Sequence, residues 1–147
     1  MVNSCETSAP EFLCYTDGAS RGNPGSASYA FLVIKNDSVL HEESGFLGVN
    51  TNNVAEYMAV IQCLSWLGHI TGDPVKIFSD SQLVMRQLSG TYSVKKPHLA
   101  ALHSDASELA RKFESVTYHS VPRENPYIRR ADMLCNQELD RTNNPQD

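Results

Sequence analysis

The sequence predicts a single α/β domain in which helices cover a mixed five-stranded sheet, with the element order βββαβααβα. Three apolar runs near the start are separated by turn-forming residues, as in antiparallel strands. Two later apolar runs alternate with segments of helical periodicity, as in strands joined by crossover helices. The length of 147 residues suits one hydrophobic core.

The first three strands are expected to form an antiparallel meander. Their expected bounds are 12–16, 28–35 and 39–46. The first strand stops at Asp17-Gly18, and a tight loop rich in glycine, asparagine and proline follows over residues 19–25. The polar residues 36–38 favour a hairpin between the second and third strands.

Helical periodicity dominates the rest of the chain. From Val54 to Leu67, apolar residues recur every three or four positions, which is the spacing of one helix face. Gly68 and Gly90 mark helix ends, and Pro97 begins the next helix. The expected helices span 54–67, 83–88, 97–113 and 127–141, and the last two strands span 75–79 and 116–121.

Residues 11–141 are expected to form the domain, between a disordered lead over 1–10 and a tail over 142–147. The chain contains no apolar run of membrane-spanning length and no secretory signal pattern at its start. We therefore expect a cytoplasmic protein without a membrane partner. No feature demands a protein partner, so a monomer is expected.

Four cysteines are present, and none forms a C-x-x-C pair. They are Cys5, Cys14, Cys63 and Cys135. Free thiols are the expected state, and a disulfide between Cys63 and Cys135 remains an alternative.

Four acidic residues stand at strand ends, helix starts or turns: Asp17, Glu56, Asp80 and Asp132. Each also has an ordinary explanation of its own. Asp17 fits an Asp-Gly turn, and Glu56 fits a capping box with Asn53. Asp80 fits a helix N-cap, and Asp132 fits the solvated face of the last helix.

Taken together, the four acids predict a metal site. Carboxylates that converge without a cation repel each other, and this repulsion costs stability. Hard divalent cations prefer oxygen ligands, and no histidine or cysteine accompanies the acids at the spacing of a soft-metal site. Mg²⁺ is therefore the expected ion.

The surroundings of these acids resemble type 1 ribonuclease H over residues 12–141. The block Asp17-Gly18-Ala19-Ser20-Arg21-Gly22-Asn23-Pro24-Gly25 is similar to the glycine-rich loop of that family, and residues 51–56 resemble its Thr-Asn-Asn segment. The resemblance implies a ribonuclease H-like fold in which Asp17, Glu56, Asp80 and Asp132 are the catalytic acids.

The same resemblance implies a reaction. The RNA strand of an RNA/DNA hybrid would be cut internally by hydrolysis, leaving 3′-hydroxyl and 5′-phosphate ends. Two Mg²⁺ ions about 3.5–4 Å apart would activate the attacking water and stabilise the leaving 3′-oxygen, with Mn²⁺ as a substitute. The four acids and Gly18 would hold the ions.

Neutral amides and hydroxyls can contact ribose 2′-hydroxyls without base preference, while lysine and arginine attract phosphates. The expected substrate contacts are Ser20, Arg21, Gly22, Asn23, Thr51, Asn52, Asn53, Gln82, Lys95, Lys96 and Arg123. The net charge of −5 opposes nucleic-acid binding, but two bound divalent cations would nearly neutralise it.

The chain departs from many family members in two places. Residues 121–125, shortly before the last acid, contain no histidine, so Arg123 or Glu124 is expected to assist proton transfer or product release. The connection around Lys95 and Lys96 is too short for a basic protrusion. Two alternatives remain open: additional action on double-stranded RNA, and a non-catalytic nucleic-acid-binding module of the same fold.

Overall fold

The structure is a computed structural model that describes residues 11–142. The elements are β1 Phe12–Gly22, β2 Gly25–Lys35, β3 Ser38–Asn50, α1 Asn52–Leu67, β4 Val75–Ser79, α2 Gln82–Leu88, α3 Pro97–Ala110, β5 Val116–Ser120 and α4 Pro126–Thr142. The expected lead over 1–10 and residues 143–147 lie outside the described part. The last described helix, α4, ends at Thr142. None of the helices within 11–142 is long and apolar enough to span a membrane.

The sheet confirms the predicted fold class and element order. Its five strands lie in the order β3-β2-β1-β4-β5. β1 pairs antiparallel with β2, and β2 with β3, whereas β4 runs parallel to both β1 and β5. This mixture follows from the connections, because a short turn can only reverse the chain and a helical crossover can bring it back in the same direction.

The expected loop over residues 19–25 is wrong, because this segment is the tip of a long hairpin. β1 continues past Asp17 to Gly22, and the pairing with β2 extends from Leu13 opposite Ile34 to Gly22 opposite Gly25. Gly22 adopts φ +106°, which favours glycine. The Gly, Asn and Pro residues thus mark only the turn, while the intervening residues extend both strands. β3 likewise continues to Asn50, four residues beyond its expected end.

Two hydrophobic clusters cover the two faces of the sheet. The larger cluster joins α1, α2 and α3 to one face and includes Tyr57 and Leu64, both fully buried. The smaller cluster joins α4 to the other face through Ile128 and Ala131. Fully burying a leucine or isoleucine side chain, such as that of Leu64 or Ile128, contributes roughly 1.5–3 kcal/mol.

The two faces also separate the cysteines. Cys63 belongs to the larger cluster and Cys135 to the smaller one. Both are buried free thiols, as is Cys14, so the alternative of a Cys63–Cys135 disulfide is wrong. Cys5 lies outside the described residues.

Candidate active site

The site lies in a notch formed because β1 is longer than its parallel neighbour. β1 and β4 pair from Phe12 opposite Val75 to Tyr15 opposite Phe78, and β4 ends at Ser79. Beyond that point β1 pairs only with β2. The notch holds Asp17, whose residue surface is only 5% exposed.

Glu56 reaches the notch because Gly18 allows α1 to come very close to β1. A Cβ atom at Gly18 would lie 2.3 Å from the carbonyl carbon of Ala55 and 2.4 Å from the amide nitrogen of Glu56. The Gly18 N–H donates a hydrogen bond of 3.1 Å to Glu56 Oε1. The capping-box explanation of Glu56 is therefore wrong, since the Thr51 hydroxyl caps α1 by accepting from the Val54 N–H at 3.2 Å.

Asp80 follows β4 directly and faces the same notch. Its explanation as a helix N-cap is wrong, because the Ser81 hydroxyl caps α2 by accepting from the Val84 N–H at 3.3 Å. The Asp80 carboxylate is instead 3.6 Å from Nε of Arg123, whose side chain is exposed.

The carboxylates of Asp17, Glu56 and Asp80 each place an oxygen within 4.8 Å of the others. The exposed Asp132 on α4 lines the same cavity of about 180 Å³, together with Gly18 and Ser20. The structure thus brings three of the expected acids into one cluster and places the fourth on the wall of the same cavity.

Burial and mutual repulsion act on this cluster in the same direction. Burial, followed by the charges of Asp80 and Asp132, raises the pKa of Asp17 to about 8. Burial and the charge of Asp17 also raise the pKa of Glu56 well above its usual range. Side chains with only acceptor oxygens, held close together at such a cost, fit a hard divalent cation that would neutralise them.

These pKa shifts predict that the metal-free protein loses stability as the pH rises. Asp17 has a folded-state pKa of about 8 and an ordinary value of 3.8, so the folded state keeps a proton that the unfolded chain has lost between these values. Stability should therefore fall across this window by up to about 1.4 kcal/mol per pH unit for one group. Thermal unfolding in a chelator from pH 5 to pH 8.5 measures this fall.

Two comparisons separate this effect from other titrations. Millimolar Mg²⁺ or Mn²⁺ should raise the melting temperature most at the alkaline end, because a cation binds the deprotonated acids. Asp17→Asn should flatten the chelator profile. A melting temperature that rises from pH 5 to pH 8.5 in wild type and in the variant alike would contradict the assignment.

Polar and positively charged groups surround the acids. Ser20, Asn52 and Arg123 line the acidic cavity. Asn23 Oδ1 accepts a hydrogen bond of 3.0 Å from the Asn52 N–H and so ties the hairpin tip to the start of α1. Gln82 lines a neighbouring cavity of about 450 Å³, of which Arg123 also forms part of the wall.

The remaining expected contacts are not among the residues that line the acidic cavity. Asn53, Lys95 and Lys96 line a separate cavity of about 230 Å³ beside Leu83 and Leu99. Thr51 acts as the cap of α1. Glu124 is exposed in the connection between β5 and α4.

Arg21 is held by α4. Its guanidinium donates to Asp140 Oδ1 at 2.7 Å and to Asn136 Oδ1 at 3.3 Å. Asn136 in turn contacts Asp132, and sequence reasoning missed it. The available signal was its position four residues after Asp132 on a helix, which places both side chains on one face.

Known proteins show clear similarity to this chain. The family model described as "Reverse transcriptase-like" matches residues 15–138. A bifunctional protein of Mycobacterium tuberculosis is 41% identical over 127 residues, which cover 84% of this chain and 34% of that protein. Ribonuclease HI of Halobacterium salinarum is 39% identical over 127 residues, covering 86% of this chain and 63% of that protein. The chain thus spans about a third of the mycobacterial relative and under two thirds of the halobacterial one.

Two solved structures are also similar to this chain. The crystal structure of RNase H1 from Halobacterium salinarum matches with a TM-score of 0.83 and 37% identity, covering 88% of this chain and 98% of that one. LC11-RNase H1, solved in complex with an RNA/DNA hybrid, matches with a TM-score of 0.83 and 34% identity, covering 89% of this chain and 98% of that one.

Proposed function

The chain belongs to the type 1 ribonuclease H family, and on that premise we propose that it hydrolyses the RNA strand of RNA/DNA hybrids internally, leaving 3′-hydroxyl and 5′-phosphate ends. One observation carries the proposal: Asp17, Glu56 and Asp80 converge within 4.8 Å in a notch of the sheet. A module that only bound nucleic acid would gain nothing from this repulsive cluster.

Asp17, Glu56, Asp80 and Asp132, with the backbone of Gly18, would hold two divalent cations, Mg²⁺ or Mn²⁺. Bound there, the cations would supply an activated water and charge stabilisation for the leaving oxygen. The chain's own contribution is orientation. The Gly18 N–H directs one oxygen of Glu56, and the narrow approach of α1 to β1 keeps that carboxylate beside Asp17.

The hairpin tip and the start of α1 would bind the hybrid on one side of the acids. Ser20, Gly22 and Asn23 lie on the hairpin, and the bond from the Asn52 N–H to Asn23 joins the two segments. Hydroxyl and amide groups can contact ribose 2′-hydroxyls regardless of base. Thr51, Asn53 and Gln82 would extend this neutral surface. Arg21, on β1, fixes the hairpin to α4 through its hydrogen bond to Asp140.

Positive charge beside the start of α1 would contact the phosphates. Lys95 and Lys96 lie together on the connection between α2 and α3, and both are exposed. We propose that this connection serves in place of a basic protrusion. The proposed domain is 11–141, and the cytoplasmic location and monomeric state stay predictions.

Many family members carry a histidine in a flexible loop shortly before the last acid, and here Arg123 or Glu124 would take over its part in proton transfer or product release. The Arg123 side chain is 86% exposed and 3.6 Å from Asp80, so it is free to follow a phosphate into or out of the site. His119 cannot take this place in the described geometry, because its ring stacks on Phe78 and its Nε2 hydrogen-bonds to Thr117 at 2.8 Å.

The test is a cleavage assay with end-labelled RNA/DNA hybrid, duplex RNA, duplex DNA and single-stranded RNA of one sequence, each with Mg²⁺ or Mn²⁺. Internal cuts in the RNA strand of the hybrid, carrying 5′-phosphate, are the expected result. Cleavage of duplex RNA as well would support the broader alternative. Binding of the hybrid without cleavage under every metal condition would refute the proposed reaction.

A further inference from the structure

We propose that Asn136 is a positioning residue for Asp132 and that Arg21 sets the orientation of the Asn136 amide. The inference rests on the proposed function, because it assigns a role to residues around the fourth acid. It also gives Arg21 a task other than contact with substrate.

Asn136 and Asp132 lie one helical turn apart on α4. Asn136 Nδ2 is 3.1 Å from the carbonyl oxygen of Asp132 and 3.4 Å from its carboxylate Oδ2. The first contact holds the amide against the helix, and the second, which is long for a hydrogen bond, directs the carboxylate without locking it. Asn136 thus supplies a side-chain amide donor to this carboxylate.

The direction of the amide follows from Arg21. A guanidinium has donors only, so the side-chain atom of Asn136 that contacts it must be the amide oxygen Oδ1. The NH₂ group of Asn136 must then face Asp132. Arg21 is itself held by Asp140 at 2.7 Å, which anchors the guanidinium on the same face of α4.

Asp132 needs such a contact more than the other acids do. Asp17 and Glu56 are buried, so packing limits the directions that their carboxylates can take. Asp132 is exposed, so packing does not restrict the directions of its carboxylate in the same way. The amide of Asn136 limits those directions and so keeps the carboxylate in place for a cation.

The contacts from Arg21 to Asn136 and from Asn136 to Asp132 also connect two parts of the site. Arg21 lies on β1 between Ser20 and Gly22, in the hairpin proposed to contact the hybrid. The hairpin and the fourth acid are therefore linked through two side chains.

The test measures Mn²⁺ affinity by isothermal titration calorimetry on the full chain without nucleic acid. Asn136→Ala should weaken binding about 10-fold, the low end for losing an outer contact to a metal ligand. It should raise the Mn²⁺ concentration for half-maximal cleavage in parallel, with little change in the KM for hybrid. Arg21→Gln, which keeps Asn136, should shift both values in the same direction but less.

The matched control is Gln137→Ala, which removes an exposed amide from the next position of α4 and should change neither value. Thermal unfolding checks that each variant folds. In an Asp132→Asn background, Asn136→Ala should have no further effect on Mn²⁺ affinity, because the two residues act as one unit.

The outcomes separate this inference from the proposed function. Unchanged Mn²⁺ affinity in folded Asn136→Ala, or an equal loss in the Asp132→Asn background, would overturn the positioning role even if wild type cuts hybrids. The expected affinities in a wild type that does not cut hybrids would keep the positioning role and refute the reaction.

Discussion

Asp17→Asn is expected to fold, bind hybrid and lose cleavage by about 10²–10³-fold, as when one electrostatic contributor is removed from other hydrolases. Burial and the charges of both Asp80 and Asp132 raise the pKa of Asp17, so its carboxylate is close to both of these acids. An amide keeps the size of the side chain but removes the charge that a shared cation requires. Single-turnover cleavage of a labelled hybrid, paired with a binding titration, measures both effects.

Asp17→Asn should also change the stability of the metal-free protein. Removing one of the repelling charges should raise the melting temperature in a chelator at pH 8. Asp105→Asn is the matched control, because it makes the same chemical change at an exposed position of α3 and should leave cleavage unaltered. Cleavage by Asp17→Asn at the wild-type rate would remove the acid cluster from the mechanism.

Gly18→Ala is expected to destabilise the fold by about 3 kcal/mol, at the upper end for overpacking, and so to lower the melting temperature by roughly 10 °C. The added Cβ would lie 2.3 Å from the carbonyl carbon of Ala55 and 2.6 Å from its oxygen. Both are backbone atoms, so no rotamer change can relieve the clash and α1 must move away from β1.

This movement should reduce cleavage beyond the loss of folded protein, because Glu56 is carried on α1 and bonds to the Gly18 N–H. Assays well below the lowered melting temperature isolate that part. Gly72→Ala is the comparison, since its Cβ would meet one oxygen, of Lys112, at 3.2 Å. Equal stability of the two alanine variants would show that the close approach of α1 to β1 tolerates a side chain.

Local patterns predicted the elements well because strands and helices are set largely by neighbours in sequence. The β4 strand was predicted with its observed bounds, and the apolar spacing from Val54 to Leu67 located α1 to within two residues. The hairpin tip was predicted less well. Glycine, asparagine and proline over residues 19–25 marked the turn, but β2 pairing extended β1 through most of that segment.

The same limit explains the helix caps. Asn53 and Asp80 are residue types that often cap helices, yet Thr51 and Ser81 do so here. Several neighbouring residues at the start of each helix are suitable N-caps by type. The path of the chain into the helix decides which of them accepts the hydrogen bond.

The sequence by itself determined the order of the elements and the mixed sheet, because these depend largely on residue types within a few positions of one another. It also singled out Asp17, Glu56, Asp80 and Asp132 as candidate acids, through the resemblance of their surroundings to a known family. Only the tertiary structure decided which groups those acids touch. The bond from Gly18 to Glu56 spans 38 positions, and the contact of Arg21 with Asn136 spans 115. Contacts at such separations arise from the packing of α1 and α4 on opposite faces of one sheet, and no local spacing encodes them.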